Sequence, residues 1–168
     1  VIAGEADVAR FTDEQYRRIV GVNVDGVVFG VRRLAQVMSS GAIVVTASLA
    51  GLGPTEQDAL YTLTKHAVVG FVRAVAPQLA ARGIRLNMVN PGFVDTPMID
   101  EVGRATFEAA GFPLLRPEDV AAAVLRAAGD EESGQAWVVQ PGREPMKFRF
   151  PNLPGARVPE GSTIAPPL

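Results

Sequence analysis

Apolar residues along this chain fall into two alternating rhythms. Over residues 13–38, Ile19, Val20, Val22, Val24, Val27, Val28, Val31, Leu34, Ala35 and Met38 recur at helical spacing with Arg17, Arg18, Arg32 and Arg33 outside the stripe, which predicts one long helix. Thr12 stands ahead of it as an N-cap, with Gln15 three residues on as the capping-box partner. Residues 41–47 (Gly-Ala-Ile-Val-Val-Thr-Ala) are a continuous apolar run, as a parallel strand covered on both faces requires. Helical spacing returns over residues 59–82, with Ala67, Val68, Phe71, Val72, Val75 and Leu79 on one side and Pro77 placed to kink the helix or shift its packing. Residues 84–89 predict a second buried strand ending in Asn90-Pro91-Gly92, and residues 136–140 a third, closed by Pro141-Gly142. Between them Arg116-Pro117-Glu118-Asp119 opens a helix running to about Gly129, with proline at its first position and acids in its first turn. Strands alternating with helices in this order predict an α/β fold on a parallel sheet.

Two stretches break the alternation. Residues 97–112 predict a mobile covering segment with one or two short helices around residues 99–110. Its Met98, Ile99, Val102, Phe107 and Phe112 either line an apolar pocket or pack as ordinary core. Residues 143–168 contain six prolines and almost no periodicity, which predicts an extended tail rather than a second domain. Phe148, Phe150 and Leu153 are the residues placed to pin it. The domain thus spans residues 1–142 and the tail residues 143–168.

Composition narrows the class. A chain of 168 residues with 48% hydrophobic and 20% charged residues fits one globular domain able to bury a core. Its net charge of −2 gives no electrostatic footprint for nucleic acid, and no apolar run reaches the length of a membrane span. Neither nucleic acid nor membrane is an expected partner. With no cysteine there are no disulfides and no thiolate chemistry, which fits a cytoplasmic enzyme, and with one histidine no metal site is expected.

Chemistry concentrates at residues 48–65. Tyr61 and Lys65, four apart on a helix, project from one face about a turn apart. A cation beside the phenol favours the phenolate and brings its proton within reach of exchange at neutral pH. Ser48, thirteen residues before Tyr61 at the end of an apolar strand, adds a hydroxyl able to hold a substrate oxygen. Set against this are plainer readings: a turn serine, a surface lysine and a chance pairing. His66 lies about 100° around the helix from Lys65 and is an interface or surface residue rather than a base.

Ser48 followed by Tyr61-x-x-x-Lys65 resembles the active-site signature of the short-chain dehydrogenase/reductase family. Val22-Asn23-Val24-Asp25-Gly26 is similar to that family's Asn-containing helix motif, Asn90-Pro91-Gly92-Phe93-Val94-Asp95-Thr96 to its Pro-Gly turn, and Gly134-Gln135-Ala136-Trp137-Val138-Val139 to its last strand. The likeness runs in family order from about residue 1 to residue 142. It implies a Rossmann-like doubly wound parallel sheet, an NAD or NADP cofactor, an alcohol or ketone as small-molecule substrate, and a homo-oligomer, dimer or tetramer, formed through the helices that carry Asn23 and Tyr61. By the same resemblance Tyr61 passes the proton, Lys65 lowers its pKa and holds the ribose, Ser48 polarises the oxygen, and Asn23 bends its helix and completes a proton relay through a water. Pro91 and Gly92 let backbone reach the nicotinamide, Val94 meets its carboxamide through the main chain, and Thr96 contacts the carboxamide or the pyrophosphate. For Asn23 the plainer reading is a solvent-facing polar residue, and for Pro91-Gly92 an ordinary turn.

The family's glycine-rich turn after the first strand has no counterpart here, and the link from Met38 to Gly41 is short against the family pattern. At roughly 30 residues per βαβ unit, on the order of 80–90 residues are expected ahead of Val1. The expectation is therefore an N-terminally truncated version of the fold, with three strands, an exposed parallel edge before Gly41 and half a cofactor site. Two functions follow: an oxidoreductase acting on a secondary alcohol or ketone, apolar in character if the covering segment lines its pocket, or a non-catalytic scaffold that associates through its helical face.

Overall fold

The computed structural model describes residues 1–157 and 163–164. Three parallel strands, β1 (Gly41–Thr46), β2 (Ile84–Pro91) and β3 (Ala136–Val139), lie side by side in that order, and a short β4 (Met146–Lys147) joins β3 antiparallel. Gly41 pairs with Ile84 and Thr46 with Val89 along the first ladder, and Met88 with Ala136 along the second. The central strand β2 explains its own apolar sequence. It is flanked on both edges and covered on both faces, so Leu86, Met88 and Val89 are all fully buried.

Helices cover each face, as the doubly wound arrangement requires. On one side α2 (Gly26–Val37) and α3 (Ala59–Ala80) contribute Val31, Val68, Val69, Val72, Ala76 and Leu79 against Ile84, Leu86 and Met88. On the other, α5 (Pro117–Gly129) sets Ala123 and Ala127 against Val89 and Val139. The small alanines bring α5 close to the sheet, where the buried Asn87 amide donates to Ala127 O at 3.0 Å and Glu132 O at 2.9 Å and accepts from Gln135 N at 2.9 Å. A buried amide filled in this way is satisfied rather than costly.

The helix starts follow their sequence signals. Thr12 caps α1 (Asp13–Val20) with the reciprocal Gln15 bond in place, and Pro117 opens α5. The first long helix is not uniform, however. Between α1 and α2 the chain widens into a π-helical turn, Gly21–Asp25, where the Gly26 amide reaches back five residues to Gly21. Such a turn inserts a residue into the helical repeat, which apolar spacing alone does not reveal. Pro77 lies within α3, one turn before its end at Ala80.

Past Gly142 the chain returns to the sheet as β4. Phe150 then packs against the α3-side core, stacks edge-on to Phe148 at 5.0 Å and lies under the Arg73 guanidinium at 3.9 Å. Leu153 is exposed. A second, two-stranded pairing joins β5 (Ala156–Arg157) to β6 (Thr163–Ile164); the rest of the tail expected beyond Arg157 lies outside the described residues. The carboxyl ends of β1, β2 and β3 open on one edge of the sheet, the edge where ligands bind in open α/β folds.

Candidate active site at the carboxyl edge of the sheet

β1 delivers Ser48 to that edge in extended conformation, φ −174° and ψ 161°, ahead of a 3-10 turn, Leu49–Gly51. The Ser48 hydroxyl accepts from Ala50 N at 3.2 Å, which leaves its own proton free to donate. Its carbonyl accepts from Gly51 N at 2.9 Å and from the Asn90 amide at 3.0 Å. The turn then lies directly on α3. A Cβ on Gly51 would fall 2.6 Å from the Lys65 carbonyl oxygen and 2.8 Å from a Val69 methyl, so only glycine fits there without displacement.

α3 begins where Asp58 caps it, accepting from Tyr61 N at 2.8 Å with one carboxylate oxygen and from Ala3 N at 2.8 Å with the other. This start puts Tyr61 and Lys65 on consecutive turns beside Ser48. The Lys65 ammonium donates to Thr46 O at 3.2 Å and lies 5.5 Å from the centre of the Tyr61 ring. Burial raises the phenol pKa above its ordinary value; the Ser48 hydroxyl opposes this by hydrogen bonding, and the Asp58 charge adds to it. Burial lowers the Lys65 pKa. The phenol pKa is therefore raised, with desolvation as the largest cause, while the ammonium's hydrogen bond goes to Thr46 O.

Asn23 is buried within the π-helical turn, which overturns the solvent-facing alternative. Its amide donates to Thr64 Oγ1 at 3.1 Å and to Val1 O at 2.9 Å, and its oxygen accepts from Val1 N at 2.9 Å. Thr64, fully buried, passes the link to Tyr61 O at 2.8 Å. Asn23 therefore touches the Tyr61 backbone through Thr64, and its side chain makes no bond to Lys65.

At the end of β2, Pro91 is buried, and the next residue's amide, Gly92 N, bonds Val139 O at 3.0 Å. Val94 forms a parallel bridge with Leu115 in which the bonds run through Phe93 O and Asp95 N, at 2.9 and 2.8 Å. By strand geometry the Val94 amide and carbonyl then face the opposite side. Thr96 closes a turn, donating to Val94 O and accepting from Met98 N, both at 3.4 Å. Beyond it, α4 (Glu101–Ala109) buries no residue. Met98, Val102 and Phe112 are exposed and are not core, while Phe107 and Phe112 cluster with Phe93 at centroid distances of 4.5 to 6.0 Å. His66 is exposed, with Nδ1 3.0 Å from Thr62 O.

The family model described as enoyl-(acyl carrier protein) reductase matches residues 2–142. The chain belongs to the short-chain dehydrogenase/reductase family. A diacetyl reductase, (S)-acetoin forming, of Staphylococcus aureus is 34% identical over 161 residues, covering 82% of this chain and 61% of the relative. A 3-alpha-(or 20-beta)-hydroxysteroid dehydrogenase of Mycobacterium tuberculosis is 37% identical over 134 residues, covering 76% and 52%. The solved structure of levodione reductase superposes with a TM-score of 0.76 at 26% identity, over 84% of this chain and 62% of that one. The chain thus spans between about half and three fifths of the length of the proteins it matches.

Within this member of the family, four residues shape the site that sequence reasoning did not single out: Gly51, Asp58, Thr64 and Asn90. Asp58 had a signal, an N-cap residue directly before a helical apolar run. The others act through tertiary contacts, which leave no local pattern.

Two outcomes test this geometry. Gly51→Ala forces the turn off α3 and is expected to cost about 1–3 kcal/mol, measured by urea unfolding; an unchanged midpoint would mean the contact relaxes freely. For Tyr61, a native pKa above the unfolded one contributes stability that is complete below the unfolded value and lost as pH rises through the native one. The unfolding free energy of the protein minus that of Tyr61→Phe should therefore be smaller near pH ~11 than near pH ~8; an equal or larger difference at the alkaline end contradicts a raised phenol pKa.

Proposed function

We propose that this protein is an NAD- or NADP-dependent oxidoreductase that interconverts a secondary alcohol and a ketone. The observation that carries the reading is the meeting of Ser48, Tyr61 and Lys65 at the carboxyl edge of a parallel sheet. The names of the relatives, a diacetyl reductase and a hydroxysteroid dehydrogenase, support a carbonyl or carbinol as the reacting group.

The residues present fit a nicotinamide dinucleotide. Lys65 has a desolvated ammonium with one carbonyl acceptor among the described residues, so two of its N–H groups remain for ribose hydroxyls. The outward amide and carbonyl of Val94 suit a carboxamide, with Thr96 beside them and Pro91 and Gly92 holding the turn. When bound, the cofactor supplies or accepts the hydride. In reduction the Tyr61 phenol gives its proton to the substrate oxygen while the Ser48 hydroxyl donates a hydrogen bond to that oxygen; in oxidation Tyr61 takes the proton back. Lys65 stabilises the phenolate left behind, and Asn23, on its widened turn, holds the relay that reprotonates it.

Phe93, Phe107 and Phe112 beside the Pro-Gly turn favour an apolar substrate. Exposed Val22, Phe29 and Leu63 along the helices that carry Asn23 and Tyr61 support a homo-oligomer formed on that face. No helix among the described residues is long and apolar enough to cross a membrane, and the absence of cysteine suits the cytoplasm.

NADH or NADPH at about 100 times its dissociation constant should raise stability by ~2.7 kcal/mol, read as an upward shift of the melting temperature. No shift with either would favour the non-catalytic scaffold. Tyr61→Phe should lower turnover by about 10²–10⁴-fold while leaving that thermal shift in place; turnover like that of the unaltered protein would remove the proposed role of the phenol.

A further inference from the structure

Ser48 stands one residue beyond the reach of the backbone ladder that orders β1. The last bond from that strand to β2 is Ala47 N to Val89 O at 2.8 Å, and from Asn90 onward β2 pairs only on its other side, with Val138 and Val139 of β3. The gap is bridged by a side chain. Asn90, fully buried, donates from its amide to Ser48 O at 3.0 Å and so extends the β1–β2 pairing by one residue, to the residue that carries the hydroxyl.

The amide is a costly way to fill this position. Asn90 continues the row of Leu86 and Met88 on the α3 face of β2, where alternate residues point the same way and the preceding two are apolar. Its Oδ1 is buried with no hydrogen-bond partner, the one such side-chain atom among the described residues. An unpaired buried acceptor is destabilising, and an apolar residue of the same shape would remove that penalty. What only the asparagine supplies is the N–H that holds Ser48.

We propose that Asn90 is a positioning residue that fixes the Ser48 hydroxyl relative to the Tyr61 phenol. This rests on the reading of Ser48, Tyr61 and Lys65 as the catalytic set. Asn90 touches neither substrate nor cofactor in this role; it acts through Ser48, and its effect should be confined to turnover.

The test is a double-mutant cycle on the purified protein. Asn90→Leu removes both the donor and the orphan acceptor, so its melting temperature should stay at or above that of the unaltered protein while kcat falls by about 10–100-fold, the scale of a small misplacement of a reacting group. The cofactor-induced thermal shift should not change. In a Ser48→Ala background the same substitution should cost no further turnover, because the group it positions is gone. Asn90→Asp gives a second readout that survives if the leucine variant does not fold. Its carboxyl, when protonated, donates to Ser48 O and when ionised cannot, so its kcat relative to the unaltered protein should recover as pH falls. Equal losses in both backgrounds, or an Asn90→Leu enzyme with lowered melting temperature and full kcat, would overturn the proposal and leave Asn90 a structural residue. Undiminished turnover in Ser48→Ala alone would instead overturn the catalytic reading on which it rests.

Discussion

The site depends on one backbone-to-backbone contact, the seating of the Leu49–Gly51 turn on α3. Gly51 allows it because no Cβ stands between the turn and the Lys65 carbonyl. The Lys65 side chain returns the contact by bonding Thr46 O on the other side of Ser48. Strand and helix therefore hold one another at two points that bracket the serine, while β2 holds it from a third direction through Asn90. Geometry of this kind matters because catalysis by oriented groups is lost when one of them drifts by about an ångström.

The same contact sets the electrostatics. Closing the turn over α3 takes Tyr61 and Lys65 out of water, and desolvation pushes each toward its neutral form. Two features of the helix start act in opposite senses. The amino end of α3 favours negative charge at Tyr61, whereas the capping carboxylate of Asp58 disfavours it. With burial siding with Asp58, the resting phenol keeps its proton. Under the proposed function, such a phenol would give its proton to a carbonyl oxygen, with Lys65 one turn away to stabilise the phenolate.

The sequence made the frame legible because the frame is local or periodic. Three apolar runs became the three parallel strands, and the capping box of Thr12 and Gln15 marked a helix start to the residue. Ser48, Tyr61 and Lys65 were legible as a set because fixed spacing on a strand end and a helix is itself a geometric statement. What escaped was the set of contacts between elements. In the π-helical turn at Gly21–Asp25, Asn23 bonds Thr64, forty-one residues away, and no apolar rhythm encodes that. Asn90 reads as part of a turn motif until the end of the β1–β2 ladder is seen. Residue spacing likewise gives the turn a side chain occupies but not how much water is left around it, and burial is the largest cause acting on the Tyr61 phenol.

The floor of the site and its cover are built to different standards. Lys65 and Asn90 bond the backbone carbonyls of Thr46 and Ser48 at the end of β1, whereas α4 buries no residue and is tied to the body through the Val94–Leu115 bridge and the cluster of Phe93, Phe107 and Phe112. An element with so few buried contacts belongs to the low end of local stability, the part of a protein free to move and to vary. Relatives of similar identity are named for substrates as different in size as diacetyl and a hydroxysteroid. Under the proposed function, the rigid floor would serve the reacting bond and the loosely packed α4 segment would set substrate selectivity.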